Sequence, residues 1–386
     1  MLDRSTTRLP PIWLSASALT AAITVIFGVQ RWIYHFTTDP YAQDVRVWVI
    51  ASRIGLTYGW SHIYDINLEK AVAAGFGPSG SLVDAMHIFV APPPAAWVMV
   101  PLAWMPIPAA YLIWTIVNVA AFIAAGWLVC PGSRFAKATL ILVGLALWPI
   151  HYQFWLGQWV VTTLALLGVA WWLLDRERWL AAGICIALAI FAKPQDAWLV
   201  PVALLVSGRW RPVVACAVAG AILGAASVAT LGLSGVHAWF DSLQIARTNP
   251  FMGPLTYTSL FGHNTVATAA ELAFGLVAIG LAWYRRDRLD LVFALGILGT
   301  IGSANYLHED DIGMLVLAAW IVLRSQPSLQ MKLWLLVGVV AAQLISIGMP
   351  VPILLWEPGF LLLLALEPRP KREAITATLQ PEPATA

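Results

Sequence analysis

The side chains most able to do chemistry in this chain of 386 residues fall in three short segments that lie far apart in the sequence. The first holds Asp44, which opens a stretch ending at Tyr58 where Val45, Trp48 and Val49 recur at helical spacing. This pattern predicts an amphipathic helix that lies on the membrane surface. A carboxylate at its start either caps free backbone amides or takes a proton from a hydroxyl as a general base, and the local sequence leaves both roles open.

The second segment is residues 192–196, Ala-Lys-Pro-Gln-Asp, at the end of an apolar run. A lysine at the outer boundary of a membrane can extend its ammonium group to water or pair with a nearby carboxylate. It can also supply a positive charge to a lipid-borne phosphate. Lys193 therefore either pairs with Asp196 or contacts a phosphate, and the segment alone favours neither.

The third segment is residues 305–311, Asn-Tyr-Leu-His-Glu-Asp-Asp, which places four adjacent ionisable side chains between two apolar runs. Asp310 or Asp311 can cap the helix that follows, and this role is the one we favour. A contact between His308 and a donor phosphate is the second alternative, and a divalent metal held by the carboxylates is the third. We assign no metal ligands.

The composition places all three segments in a membrane protein. Hydrophobic residues make up 60% of the chain, charged residues make up 11%, and the mean hydropathy is +0.77. A water-soluble domain of this length does not carry such a composition. The apolar runs are long and do not alternate, which favours spanning helices. The net charge of +2, without a basic cluster, gives no sign of nucleic-acid binding.

We predict an all-α polytopic membrane protein of about 12 transmembrane helices, in one domain over residues 1–366. Residues 367–386 are predicted to be a disordered cytoplasmic tail. The predicted spans are residues 12–31, 109–130, 136–150, 158–174, 179–192, 196–208, 212–232, 265–284, 290–304, 311–323, 333–349 and 351–366.

The distribution of basic residues predicts the orientation of these spans. With the N-terminus in the cytoplasm, most of the 22 Lys and Arg residues fall on the inside, as the positive-inside rule requires. This arrangement requires residues 92–108 not to cross, so we place them in a juxtamembrane or re-entrant helix. Two long outer loops, 32–108 and 233–264, remain, and the first is expected to carry the active site. The predicted location is the bacterial inner membrane, with both termini cytoplasmic and the active site outside.

Several short motifs recur in an order and on a membrane side that resemble glycosyltransferase family 87, the polyprenyl-phosphate-mannose-dependent mannosyltransferases of the GT-C fold. The resemblance covers roughly residues 30–320. The matching positions are Asp44, Phe89, Pro92-Pro93, Pro101-Leu102, Pro106, Gly157-Gln158, Ala182-Gly183, Lys193-Pro194, Arg209-Trp210-Arg211 and Ser259-Leu260.

The resemblance implies a GT-C-type helical bundle with juxtamembrane helices in the first outer loop. It implies an inverting transfer of a hexose, mannose in the family, from a polyprenyl-phosphate donor to a hydroxyl of a lipid or glycan acceptor. Asp44 becomes the expected general base, and Lys193 and His308 become the expected donor-phosphate contacts. Pocket residues are expected at Gln158, Arg247, His263 and Trp48. No soluble cofactor is implied.

Two other classes of membrane protein share part of this pattern. A transporter or flippase of a lipid-linked or small polar substrate can also have twelve spans, but it requires a polar path to the cytoplasmic side, which the apolar runs do not offer. A ligase or polymerase that uses a polyprenyl-diphosphate donor would require more arginine on the outer side than Arg46, Arg53 and Arg247 provide.

The predicted topology can be tested with single cysteines in a cysteine-free background. We expect cysteines at Ser79 and Ser234 to react with a membrane-impermeant thiol reagent added from outside, because both positions lie in outer loops. Cysteines at Ser133 and Ser325 should react only after the membrane is opened. Labelling of the Ser133 position in intact cells would show that residues 92–108 cross the membrane.

Overall fold

A computed structural model describes residues 10–38, 43–75, 88–247 and 255–368, and within these ranges the regular structure is helical. The first five helices are α1 (Ile12–Thr38), α2 (Gln43–Tyr58), α3 (Ile66–Ala74), α4 (Pro93–Val98) and α5 (Ile107–Val129). The remaining helices are α6 (Arg134–Ala146), α7 (Trp148–Leu156), α8 (Val160–Leu174), α9 (Trp179–Ala192), α10 (Leu199–Val206), α11 (Trp210–Arg247), α12 (Tyr257–Phe261), α13 (Thr265–Tyr284), α14 (Leu289–Gly302), α15 (Met314–Arg324), α16 (Leu329–Leu344) and α17 (Val351–Leu366).

The lengths of these helices differ widely. Five of the described helices, α1, α5, α11, α13 and α16, are long and apolar enough to cross a membrane alone. A sixth span results if α6 and α7, which meet at a bend of 62°, are counted together. The apolar helices α8, α9, α14 and α17 are shorter. The chain is thus a polytopic membrane protein. Each predicted span falls on one or two helices, and the total of twelve crossings stays a prediction.

One loop boundary differs from the predicted one, and the segment predicted not to cross has only short helical structure before α5. The loop predicted at 233–264 begins as helix, because α11 continues past a backbone break at Gly232 (φ 62°, ψ 179°) to Arg247. Residues 92–108 form no crossing helix, since α4 has six residues and α5 begins only at Ile107. A helix of six residues is about 9 Å long, far short of the hydrocarbon thickness of about 30 Å.

Connections that were predicted to lie in the cytoplasm meet at one end of the bundle. The guanidinium of Arg209 donates to the backbone carbonyl of Arg286 at 2.9 Å. The backbone amide of Ser328 donates to Glu367 Oε1 at 2.7 Å. Both contacts join segments that the charge distribution had assigned to the same side of the membrane. The absolute orientation of that side is not fixed by these contacts and stays a prediction.

The part of the predicted first outer loop that the structure describes, residues 43–75 and 88–106, is called the outer segment below. It has an apolar core separate from the core of the main bundle. Residues 45–52 of α2 are all buried, so this part of the helix is enclosed by protein on every side and lacks the exposed polar face that its sequence pattern suggested. Tyr64 stacks between Phe89 (ring centroids 5.1 Å apart) and Trp239 (5.9 Å). The Trp239 indole also donates to the Val90 carbonyl at 3.0 Å. These contacts fix the proline-rich segment beside α2.

Two buried glutamates hold loop backbone in place. Glu69 Oε2 accepts the amide of Phe89 at 3.0 Å, which ties α3 to the start of the proline-rich segment. Glu271 Oε1 accepts both the amide (3.1 Å) and the hydroxyl (2.7 Å) of Thr258, which ties α13 to the short helix α12. Both carboxyl groups therefore satisfy buried donors that would otherwise cost free energy.

A glycine allows α9 and α11 to pack closely. A Cβ atom added to Gly183 would lie 2.8 Å from the Cys216 amide nitrogen and still closer to the Pro212 carbonyl oxygen. Neither backbone atom can move aside as a flexible side chain would. Because Lys193 directly follows the last residue of α9, the close contact at Gly183 also helps to set the position of the Lys193 ammonium group.

We expect Gly183→Ala to lower the free energy of unfolding by about 1–3 kcal/mol, the usual cost of overpacking a core. Gly224→Ala in α11 is the matched control, because its added Cβ meets nothing within 4 Å. That control should be neutral or slightly stabilising, since alanine favours helix over glycine. Thermal unfolding of the purified protein in detergent measures both. Equal unfolding temperatures for the two variants would contradict the close helix contact.

Candidate functional site

Four segments that are distant in sequence meet at the end of the bundle opposite to the Arg209 and Glu367 contacts. They are the first turn of α2 with Asp44, the turn after α7 with Gln158, the end of α9 with Lys193, and the connection from α14 to α15 with His308 and Asp310. The charges of Asp310, His308 and Lys193 all act on the Asp44 carboxylate, which places the four segments around one site.

The position of Gln158 depends on the backbone of its neighbour. Gly157 ends α7 in the left-handed conformation (φ 76°), and its amide donates to the Gln153 carbonyl at 2.8 Å. The Trp114 indole donates to the Gly157 carbonyl at 2.8 Å. A side chain at residue 157 would strike Val45 in α2 and would also be strained at this φ. The glycine thus lets α7 and α2 approach, and Gln158 follows directly.

Asp44 is held by an amide side chain. Gln158 Nε2 donates to Asp44 Oδ2 at 2.9 Å. Asp44 is the second residue of α2, so it lies inside the helix rather than at the capping position before it. The pKa of Asp44 is raised to about 6, because burial and the Asp310 charge, which raise it, outweigh His308, Lys193 and the Gln158 hydrogen bond, which lower it. Near neutral pH the carboxyl group is mostly ionised and still able to accept a proton.

Lys193 has partners other than the one its sequence suggested. Its buried ammonium lies 2.8 Å from Asp310 Oδ2 and also contacts Asp311 Oδ1, and both carboxyl side chains are fully buried. Burial lowers the pKa of Lys193, but the Asp310, Asp311 and Asp196 charges outweigh it, so the pKa lies well above its usual value and the lysine stays charged. Burial and the Asp311 charge raise the pKa of Asp196 well above its usual value.

The connection from α14 to α15 is folded around Asp311. The His308 amide donates to Asp311 Oδ2 at 2.6 Å, and His308 Nε2 contacts the Tyr306 hydroxyl. The Trp148 indole donates to Glu309 Oε2. Neither Asp310 nor Asp311 makes the side-chain capping contact that the sequence favoured, because both face Lys193. Among the described residues, no group of three His, Cys, Asp or Glu side chains is arranged to hold a metal ion.

Two of the expected pocket residues, Trp48 and His263, do not join this group. Trp48 is buried and packs edge-on against Trp159 (ring centroids 5.3 Å) and Trp114 (6.3 Å), behind the turn that carries Gln158. His263 is exposed on the segment between α12 and α13, and among the described residues no hydrogen bond or ion pair connects it with Asp44. The side chain of Arg247 lies outside the described part of the chain.

Sequence reasoning missed the roles of Tyr306 and of the two aspartates that pair with Lys193. Burial raises the pKa of Tyr306, and the Asp311, Asp310 and Asp44 charges act on its hydroxyl, so it lies at the same site. A polar aromatic residue two positions before His308, in an otherwise acidic outer connection, was the available signal. The pairing of Lys193 with Asp310 spans 117 residues and had no local signal.

Chemically, the site combines one poised carboxylate, an amide that orients it, and a buried cluster in which carboxyl groups outnumber the ammonium group.

The profile of glycosyltransferase family 87 matches residues 89–304, more than half of the chain. Gln158 and Lys193 lie within the matched range, whereas Asp44 and His308 flank it. Searches of curated proteins and of solved structures found no match. The chain belongs to glycosyltransferase family 87.

Proposed function

We propose that this membrane glycosyltransferase transfers a hexose, mannose in the first instance, from a polyprenyl-phosphate donor to a hydroxyl group of a lipid or glycan acceptor. Asp44 acts as the general base. The observation that carries the proposal is the state of Asp44, a largely buried carboxylate with a pKa near 6 that Gln158 orients. A base works best when its pKa lies close to the working pH.

The reaction is written as one displacement. The acceptor oxygen forms a bond to the anomeric carbon while the bond from that carbon to the phosphate oxygen breaks. The electron pair leaves with the polyprenyl phosphate, and Asp44 takes the acceptor proton. A single displacement inverts the anomeric centre, and one carboxylate base is sufficient for it. The single poised carboxylate supports this inverting course.

The donor's phosphate requires positive charge in an acidic site. His308 is half-buried beside Asp44 and hydrogen-bonded to Tyr306, and we propose it as a donor-phosphate contact. The Lys193 charge is already balanced by Asp310 and Asp311. We therefore propose that Lys193 supports the donor site chiefly by holding these two aspartates in place.

The site is proposed to face the non-cytoplasmic side of a bacterial inner membrane, with both termini in the cytoplasm. What supports this is the bias of Lys and Arg residues toward the opposite end of the bundle. Polyprenyl-phosphate sugars dissolve in the bilayer, so a site at the outer ends of membrane helices can receive them without a soluble nucleotide sugar.

Replacing Asp44 tests the base. Asp44→Asn keeps the size and polarity of the side chain but cannot accept a proton, so we expect turnover of polyprenyl-phosphate-mannose to fall at least 100-fold. In the unchanged protein, kcat/KM should rise with pH through about 6, because the ionised form of Asp44 is the active one.

The matched control is Asp65→Asn. Asp65 caps α3 in the same outer segment, and asparagine caps equally well, so its turnover should stay unchanged. The measurement is release of polyprenyl phosphate by purified protein given a panel of acceptors. Activity of Asp44→Asn within a few-fold of the unchanged protein would remove Asp44 from the base role.

Replacing Lys193 tests whether this residue holds the buried aspartates in place or contacts the donor phosphate directly. In Lys193→Met, two buried carboxylates lose their counter-charge, and we expect the free energy of unfolding to fall by about 3–5 kcal/mol, as for other broken buried ion pairs. His308→Ala is the contrasting variant, which should weaken donor binding by about 1.5–3 kcal/mol with a smaller loss of stability. Thermal unfolding and donor binding are measured on both. A stable Lys193→Met protein with weakened donor binding would instead make Lys193 a direct phosphate contact.

A further inference from the structure

A groove of about 450 Å³ runs along the outer half of α1, on the side that faces α7. Phe27, Gln30, Arg31, Tyr34 and Trp155 are among its lining residues. The charge and position of Arg31 distinguish this groove from an ordinary lipid-facing surface. We propose that the groove binds the phosphate of the polyprenyl carrier, with Arg31 as a phosphate-binding residue in addition to His308. This inference rests on the proposed function, since it names where that donor's carrier sits.

The first argument is the depth of Arg31 in the membrane. α1 begins at Ile12, so Arg31 lies 19 residues further along a continuous helix, which corresponds to about 29 Å. That distance matches the hydrocarbon thickness of about 30 Å and puts the guanidinium at the level of lipid phosphates. An arginine at this level is favourable when an anion meets it.

The second argument is the gradient of polarity along the groove. Phe27, one turn deeper than Arg31, is apolar and exposed, while Tyr34, one turn further out, presents a hydroxyl. A polyprenyl phosphate has the same order of groups, with an isoprenoid chain below and a phosphate above. The large exposed side chains of Ile23 and Ile26 extend the apolar surface below the groove.

The third argument is the connection between the groove and the Asp44 site. Arg31 lies over the rings of Trp148 (5.0 Å) and Trp155 (5.7 Å). Tyr152 stacks on Trp148 and packs edge-on against Trp155. The charges of Glu309, Asp310 and Asp44 act on the Tyr152 hydroxyl. One aromatic cluster therefore has Arg31 on one side and the acidic site on the other, which suits a phosphate and the sugar attached to it.

The fourth argument is charge. Lys193 is enclosed by carboxylates, so it offers little net attraction to a phosphate. Arg31 forms no ion pair with a carboxylate in the described part of the chain, and its contacts there are with aromatic faces. A guanidinium on aromatic rings keeps its N–H groups directed outward for a phosphate. When the sugar leaves, the carrier phosphate gains a second negative charge, which a nearby guanidinium stabilises.

The test is direct binding of sugar-free polyprenyl phosphate to the full-length protein in lipid nanodiscs. Arg31→Gln is expected to weaken binding by about 10-fold to 100-fold, the range for losing a hydrogen bond to a charged group. Arg31→Lys keeps the charge without the planar fork and should lose less. Lys70→Gln, an exposed position of the outer segment, removes the same charge outside the groove and should bind as the unchanged protein does.

Two competitors identify the source of the phosphate. A polyprenol without phosphate and a phosphatidylglycerol should each displace polyprenyl phosphate poorly. If the Arg31→Gln protein binds polyprenyl phosphate within twofold of the unchanged protein, the inference is overturned. Equal competition by phosphatidylglycerol would make the groove a site for bulk phospholipid.

Asp44→Asn separates this inference from the proposed function, because it should abolish turnover and retain carrier binding. Failure of the unchanged protein both to bind the carrier and to turn over its mannose adduct would reject the proposed function itself.

Discussion

The buried ion pairs of Lys193 with Asp310 and Asp311 are the interaction on which the candidate site depends. They join the end of α9 to the connection between α14 and α15, two parts of the chain that are more than 100 residues apart. Charges buried to this degree are tolerated only when each has a partner, so the three side chains fix one another's positions. Asp311 then also holds the His308 backbone, and Asp310 sets part of the electrostatic field at Asp44.

Much of the site could be foreseen, because a membrane imposes strong constraints. The bias of basic residues assigned Asp44, Gln158, Lys193 and His308 to one side, and the structure brings these four residues together. The helix expected from Asp44 to Tyr58 agrees with α2 within one residue. These features follow from local periodicity and from the distribution of charge, and both can be recognised in the sequence without knowledge of tertiary contacts.

Other features depended on contacts between distant segments. The sequence offered Asp196 as the partner of Lys193 because it is near in the chain, whereas the ammonium group meets Asp310 and Asp311. The sequence pattern of α2 resembles that of a surface helix, and only the packing of the other outer segments shows that it is enclosed. Trp48 was expected in the pocket, but its ring packs against Trp114 and Trp159 instead. Periodicity contains no information about such partners.

The short length of α9 has a consequence for the surrounding bilayer. This helix has 14 residues, about 21 Å, and it exposes Leu180, Ile184 and Leu188 along its surface. The 27 residues of α1 correspond to about 40 Å. The hydrocarbon layer of a bilayer is about 30 Å thick, so α1 is long enough to cross it and α9 is too short. A bilayer adapts to a helix that is too short by becoming thinner around it. If α9 crosses the membrane as predicted, the bilayer beside it is expected to thin, so that headgroups lie closer to the level of Lys193.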